Sequence, residues 1–132
     1  MIEIARGYGT GPVKRKDIAR TQGISKAYLE NILTALKAKG LIQTQRGKDG
    51  GFGLIRQPGD ITLLEVFSAL EGSTVPVDCV ENTAACAKAE KCMSRLVWKK
   101  MHQAQSDVLR NMTLDELVNE DPDGKRALSY CI

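Results

Sequence analysis

Leu29, Ile32, Leu33 and Leu36 recur at the period of a helix that buries one stripe, which predicts a helix over about Lys26–Lys39. Ser25 stands before it as an N-cap, and Gly40 follows where a glycine closes a helix. A shorter periodic piece precedes it, roughly Lys14–Thr21, with Ile18 and Ala19 inward, basic residues outward and Gly23 behind. Ahead of both, Ile2 and Ala5 read as the tail of a helix that stops at Gly7, Gly9, Gly11 and Pro12. Leu41–Arg46 and Phe52–Ile55 then read as short strands joined by the turn Gly47-Lys48-Asp49-Gly50-Gly51. Helix, glycine turn, helix and hairpin in this order make a winged helix-turn-helix, whose second helix lies in the major groove of DNA.

Beyond Pro58 the pattern changes. Thr62 and Glu65 have the spacing of a capping box and open a third helix, with Leu64, Phe67, Ala69 and Leu70 as its apolar side and Gly72 as its end. Ser73–Lys91 keeps no sustained period and reads as a loop with one short helical turn. From about Ser94 to Asn111, Trp98, Met101, Gln105, Val108 and Met112 alternate spacings of three and four, a heptad seam that suits packing against another chain. Thr113 and Glu116 form a second capping box, opening a short helix through Val118. The expected fold is mostly α with a small β-hairpin wing, a winged helix-turn-helix plus a long dimerisation helix. Its parts are a DNA-binding unit over 1–60, a supporting helix and cysteine loop over 61–92, the dimerisation helix and its successor over 93–118, and a tail over 119–132.

Charge sharpens the division. Residues 1–60 hold 11 Lys/Arg against 5 Asp/Glu, whereas residues 61–132 hold 8 against 11. The basic half is the expected contact with a polyanion. On the predicted recognition helix the polar face presents Ser25, Lys26, Tyr28, Glu30 and Asn31. Glu30 could accept from a cytosine amino group, Lys26 could reach a phosphate or a guanine edge, and Ser25 or Tyr28 could bind a phosphate. Tyr28 could equally pack against the neighbouring helix. At the wing, Arg46 and Lys48 suit the walls of a minor groove, and Gly50 and Gly51 let the backbone come close.

The remaining chemistry is sulfur. Cys79, Cys86 and Cys92 lie within fourteen residues of a 132-residue chain that has four cysteines. With no signal peptide or spanning segment legible, a cytoplasmic location is expected, where clustered thiols bind metal or sense redox state more often than they pair. Thiolates are soft ligands that suit iron-sulfur clusters, zinc and copper(I). The spacing, six residues and then five, lacks the Cys-x-x-Cys pair of zinc ribbons. Free thiols or a simple thiol switch remain the alternative. A cysteine-dependent enzyme is disfavoured, because His102, the one histidine, has no acid partner in sight.

Gly23-Ile24-Ser25-Lys26-Ala27-Tyr28-Leu29-Glu30, Leu36 through Gly40-Leu41-Ile42, and Arg46 through Phe52 together resemble the IscR/NsrR-type family of bacterial winged-helix repressors. Lys91-Cys92-Met93-Ser94-Arg95-Leu96-Val97-Trp98 and Thr113 through Val118 carry the same resemblance. It implies a homodimer, joined through the long helix, that binds a two-fold symmetric double-stranded DNA operator and regulates transcription. It also implies that Cys79, Cys86 and Cys92 hold an iron-sulfur cluster, 2Fe-2S ahead of 4Fe-4S, whose state changes affinity for DNA. A branch of the family resembling CymR has no cluster and answers to thiol redox state, a small molecule or a protein partner. Two departures stand out. Where one branch places a histidine ligand three residues after the last cysteine, this chain has Arg95, which cannot coordinate. Glu3, His102 and Cys131 are weak substitutes, so the fourth ligand is expected in a part of the first helix ahead of Met1.

Overall fold

A computed structural model of the chain describes residues 1–121. Helix α1 spans Ile2–Arg6, α2 Arg15–Gln22 and α3 Lys26–Ala38. Gly23, between α2 and α3, takes φ of 63°, the left-handed backbone that a glycine adopts without the Cβ clash other residues suffer. Two residues on, Ser25 caps α3: its hydroxyl accepts from the Tyr28 N–H at 3.1 Å. Leu29, Leu33 and Leu36 are buried and Ile32 is half-buried, so the expected stripe is the packed face of α3.

The hairpin pairs β1 (Ile42–Gln45) with β2 (Gly51–Leu54), in register from Ile42 opposite Leu54 to Gln45 opposite Gly51. Val13 adds a third, one-residue rung, exchanging hydrogen bonds of 2.9 Å in both directions with Phe52. The wing is thereby tied to the chain just ahead of α2. A Cβ on Gly51 would stand 2.5 Å from the Val13 carbonyl oxygen, so the bare backbone there serves contact within the chain itself.

A 3-10 turn at Pro58–Asp60 leads to α4, Leu63–Glu71. Three single 3-10 turns follow, at Asp78–Val80, Thr83–Ala85 and Ala89–Lys91, where one was expected. Helix α5 then runs from Met93 to Asn111, and α6 from Leu114 to Glu120, two residues beyond the expected end. Both expected capping boxes are present. The Thr62 hydroxyl accepts from the Glu65 N–H at 3.3 Å while the Glu65 carboxylate accepts from the Thr62 N–H at 2.9 Å, and Thr113 and Glu116 repeat the arrangement at 3.3 and 3.0 Å. The two caps are also bridged to each other. Leu63 N–H donates to the Met112 carbonyl and Leu114 N–H to that of Ile61, which holds the starts of α4 and α6 side by side.

One apolar core joins these pieces. Ile4 of α1, Ile18 of α2, the α3 leucines, Leu41, Ile42, Leu54, Ile61, Leu63, Val66, Leu109 and Leu114 form a continuous cluster, with α6 packed on α1 and α4 lying between α3 and α5. Two expectations need correction. The face of α4 turned to the core carries Leu63 and Val66, with Leu64 and Ala69 partly covered, whereas Phe67 and Leu70 are exposed. Met112 does not continue the α5 seam: the helix has ended at Asn111 and Met112 packs against the core. No helix among the described residues is long and apolar enough to cross a membrane.

Candidate functional site

Burying Leu29, Leu33 and Leu36 turns the opposite side of α3 to solvent. Ser25, Lys26, Tyr28, Glu30 and Asn31 are all exposed there, and Tyr28, at 60 % exposure, does not pack against a neighbouring helix. Thr34 lies on the same exposed side, one turn beyond Glu30 and Asn31. Helical spacing from Lys26 and Glu30 was enough to place it, but its small side chain drew no notice. Two of the five have prior engagements. Ser25 spends its acceptor on the helix cap, and the Glu30 carboxylate is ion-paired with Arg15 of α2.

That ion pair brings in residues the sequence reading passed over. Arg15 and Lys16 open α2 on its exposed side, and Lys14, the α2 N-cap, reaches the wing tip, with Nζ 3.4 Å from the Asp49 carboxylate and 3.5 Å from the Lys48 carbonyl. Arg46 and Lys48 are exposed at the same tip. Basic side chains from α2, α3 and the wing thus share one region of surface, held by backbone pairing at Val13–Phe52. Such a surface contacts phosphates through its cations and base edges through the polar groups of α3.

The cysteine loop has a different design. Each 3-10 turn presents one thiol at or near its end: Cys79 inside the first, Cys86 closing the second and Cys92 closing the third while capping α5. All three are free; Cys86 is exposed and the others are half-buried. Among the described residues no three His, Cys, Asp or Glu side chains are gathered closely enough to hold a metal ion. Cys131 lies outside the described residues. Glu3 is committed to Arg6 at 3.0 Å and Gln22 at 3.1 Å. His102 is turned toward α4, lining a cavity there, and its Nδ1 is buried without a partner.

Arg95 has a definite task here. Its Nε donates to the Cys79 carbonyl at 2.5 Å and its Nη2 to that of Val80 at 3.4 Å. The side chain is part-buried, and Val80 is buried beneath it. A guanidinium makes such a clamp because its donors are planar and permanently charged. The first cysteine turn is therefore fastened to the first turn of α5.

The outer surface of α5 is largely uncovered. Ser106 and Leu109 are buried, while Met93, Leu96, Val97, Met101 and Val108 are exposed, Met101 by 54 % and Val108 by 58 %. Gln105 is exposed beside them, and Phe67 and Leu70 of α4 add to the uncovered apolar surface.

Residues 1–120 match the family described as Rrf2, iron-dependent transcriptional regulator. The chain is 36 % identical over 119 residues to the HTH-type transcriptional regulator IscR of Klebsiella pneumoniae subsp. pneumoniae, covering 90 % of this chain and 72 % of the relative. Among solved structures it is similar to CymR, the global cysteine regulator of B. subtilis, with a TM-score of 0.74 and 34 % identity over 90 % of this chain and 87 % of the other. It is also similar to IscR of T. potens, with a TM-score of 0.75 and 29 % identity over 98 % and 85 %.

Proposed function

Because this chain belongs to the Rrf2 family of transcriptional regulators, we propose that it acts as a homodimer that reads a two-fold symmetric operator with α3 and the wing, its affinity set by the Cys79–Cys92 loop. The observation that carries the DNA reading is the shared exposure of Lys26, Asn31, Arg46 and Lys48 on one surface whose parts are pinned together at Val13 and Phe52. In this reading Arg46 and Lys48 contact the backbone and minor-groove walls, Asn31 and Lys26 meet base edges, and Ser25 and Tyr28 meet phosphate. Glu30 acts through Arg15, by fixing where that cation stands. The dimer forms through the uncovered apolar surface of α5, since a patch of Met, Val and Leu on one helix face is what a partner helix covers.

The loop is the sensor in this proposal. As chemistry, three thiols supply three of the ligands of an iron-sulfur cluster, and Cys79, Cys86 and Cys92 would hold it. When bound, such a group supplies sensitivity to iron, oxygen or nitric oxide. The described residues contain neither a fourth ligand nor a convergent arrangement of the three thiols. What this chain's own residues contribute is the linkage: Arg95 fastens Cys79 and Val80 to α5, so a rearrangement of the loop is felt at the dimer helix. A second reading has its own support. Three ungathered thiols, one fully exposed, and a likeness to the cysteine regulator CymR suit a regulator of this family without a cluster, answering to thiol oxidation, a small molecule or a protein partner.

Fluorescence anisotropy on operator DNA against salt tests the first part. Arg46→Ala weakens binding and lowers the salt slope by about 1; an unchanged slope removes Arg46 from the interface. Anaerobic purification with iron and sulfide counts separates the two sensor readings. A visible absorbance that Cys86→Ala abolishes in a folded protein supports the cluster, and its absence in the parent protein favours the thiol switch.

A further inference from the structure

A cavity of about 430 Å³ lies between α4 and the C-terminal half of α5, closed on a third side by the chain that leads into the cysteine loop. Its wall is polar: the hydroxyls of Ser68, Thr74 and Ser106, together with Glu81, His102 and Arg110. Its size falls within the range of small-molecule sites, about 300–1,000 Å³.

Two details set it apart from an ordinary crevice. Among the described residues, Ser106 is the polar side chain that is buried, at 7 % exposure. One turn earlier on the same face of α5, His102 has its Nδ1 buried with no hydrogen-bond partner. Buried polar groups are normally partnered, because leaving one unpaired costs about 1–3 kcal/mol. Both lie in the wall of one cavity, so an occupant that hydrogen-bonds there offsets that cost.

The charges define its class. Arg110 spends one nitrogen on Asp107 at 3.2 Å, which leaves most of its fork for a carboxylate. Glu81 meets only the Ser73 hydroxyl, at 3.4 Å, and retains an oxygen for a cation. One anionic and one cationic group on a hydroxyl-lined cavity complement a small zwitterion. We infer that the cavity binds a small α-amino acid, its carboxylate at Arg110, its ammonium at Glu81 and its side chain against His102 and Ser106. Glu81 stands between Cys79 and Cys86, so occupancy ties the loop to α5 at a second point, away from the Arg95 clamp. Its role as an effector site rests on the regulator reading above; the binding itself does not.

The test is calorimetry and thermal unfolding of the full chain with the common amino acids one at a time, with acetate and methylammonium as separate controls. One or a few amino acids should give saturable heat and a rise in Tm. Arg110→Met and Glu81→Gln, both at exposed positions, should each weaken that binding at least about tenfold with an unchanged circular dichroism spectrum. The inference is overturned by any of three results: no amino acid binds, acetate or methylammonium alone reproduces the shift, or both variants keep the parent affinity. Operator binding is measured on the same unliganded samples, so a chain that binds an amino acid but no DNA overturns the DNA reading alone.

Discussion

Glu30 and Arg95 acquire their meaning from partners far along the chain. From its place on the polar face of α3, Glu30 is a candidate for reading a cytosine amino group. In the structure its carboxylate is paired with Arg15, at half exposure on both sides. An exposed pair contributes about 0–1 kcal/mol to stability, so the fold tolerates its loss. Glu30→Ala should release the Arg15 guanidinium to phosphate, raising affinity for non-operator DNA and steepening the salt slope by up to about 0.9. Anisotropy with scrambled duplexes checks this, and a uniform loss of affinity would return Glu30 to direct base contact. Arg95 was legible as a departure from a metal-ligand pattern. That it clamps two carbonyls of the first cysteine turn was not, since nothing local to Arg95 marks a bond to residues 79 and 80.

Elements were the most legible scale, because caps and periods are written in neighbouring residues. The boxes Thr62–Glu65 and Thr113–Glu116 were read from spacing and are formed. Burial alone would raise the Glu65 pKa, but the Arg56 guanidinium at 2.6 Å and the Thr62 cap outweigh it and hold the carboxyl below its ordinary value. The folded chain thus binds this proton less tightly than the unfolded one. The stabilisation is complete above the ordinary glutamate pKa of about 4.3 and is lost as pH falls through the lower folded-state value. Thermal unfolding followed from about pH 6 to pH 3 should show Glu65→Gln losing less stability than the parent chain over that interval. Thr62→Ala should cost about 1 kcal/mol at neutral pH. At the wing, Gly51→Ala drives a methyl against the Val13 carbonyl, 2.5 Å away. Overpacking of this kind costs about 1–3 kcal/mol, and releasing the wing from Val13 should weaken operator binding beyond the effect on Tm. Equal operator affinity in the folded variant would show that the Val13 rung does not position the wing.

At the scale of the whole molecule, the decisive quantity is which helix faces are left over. The core takes Ser106 and Leu109 of α5 and leaves Met101 and Val108 uncovered. Met101→Asp with Val108→Asp should convert a dimer to a monomer in sedimentation, because two buried carboxylates without partners outweigh the apolar contact. The helical circular dichroism should persist, since both side chains lie outside the core cluster. A dimer that survives both substitutions would move the interface off α5. By itself, the sequence determined the helix-turn-helix, the hairpin, the two capped helices and the exposed recognition face, because caps, glycine turns and hydrophobic periods act within a few residues. It misjudged α4, where Phe67 and Leu70 were expected inward, because an apolar residue on a helix carries no label saying which of two surfaces it serves. Only the tertiary structure decided that assignment, the Glu30–Arg15 pair, the Arg95 clamp and the meeting of His102, Ser106 and Arg110 with Glu81 around one cavity. Each depends on segments distant in the chain being brought together by the common core, and such a meeting leaves no periodic trace in the residues that take part.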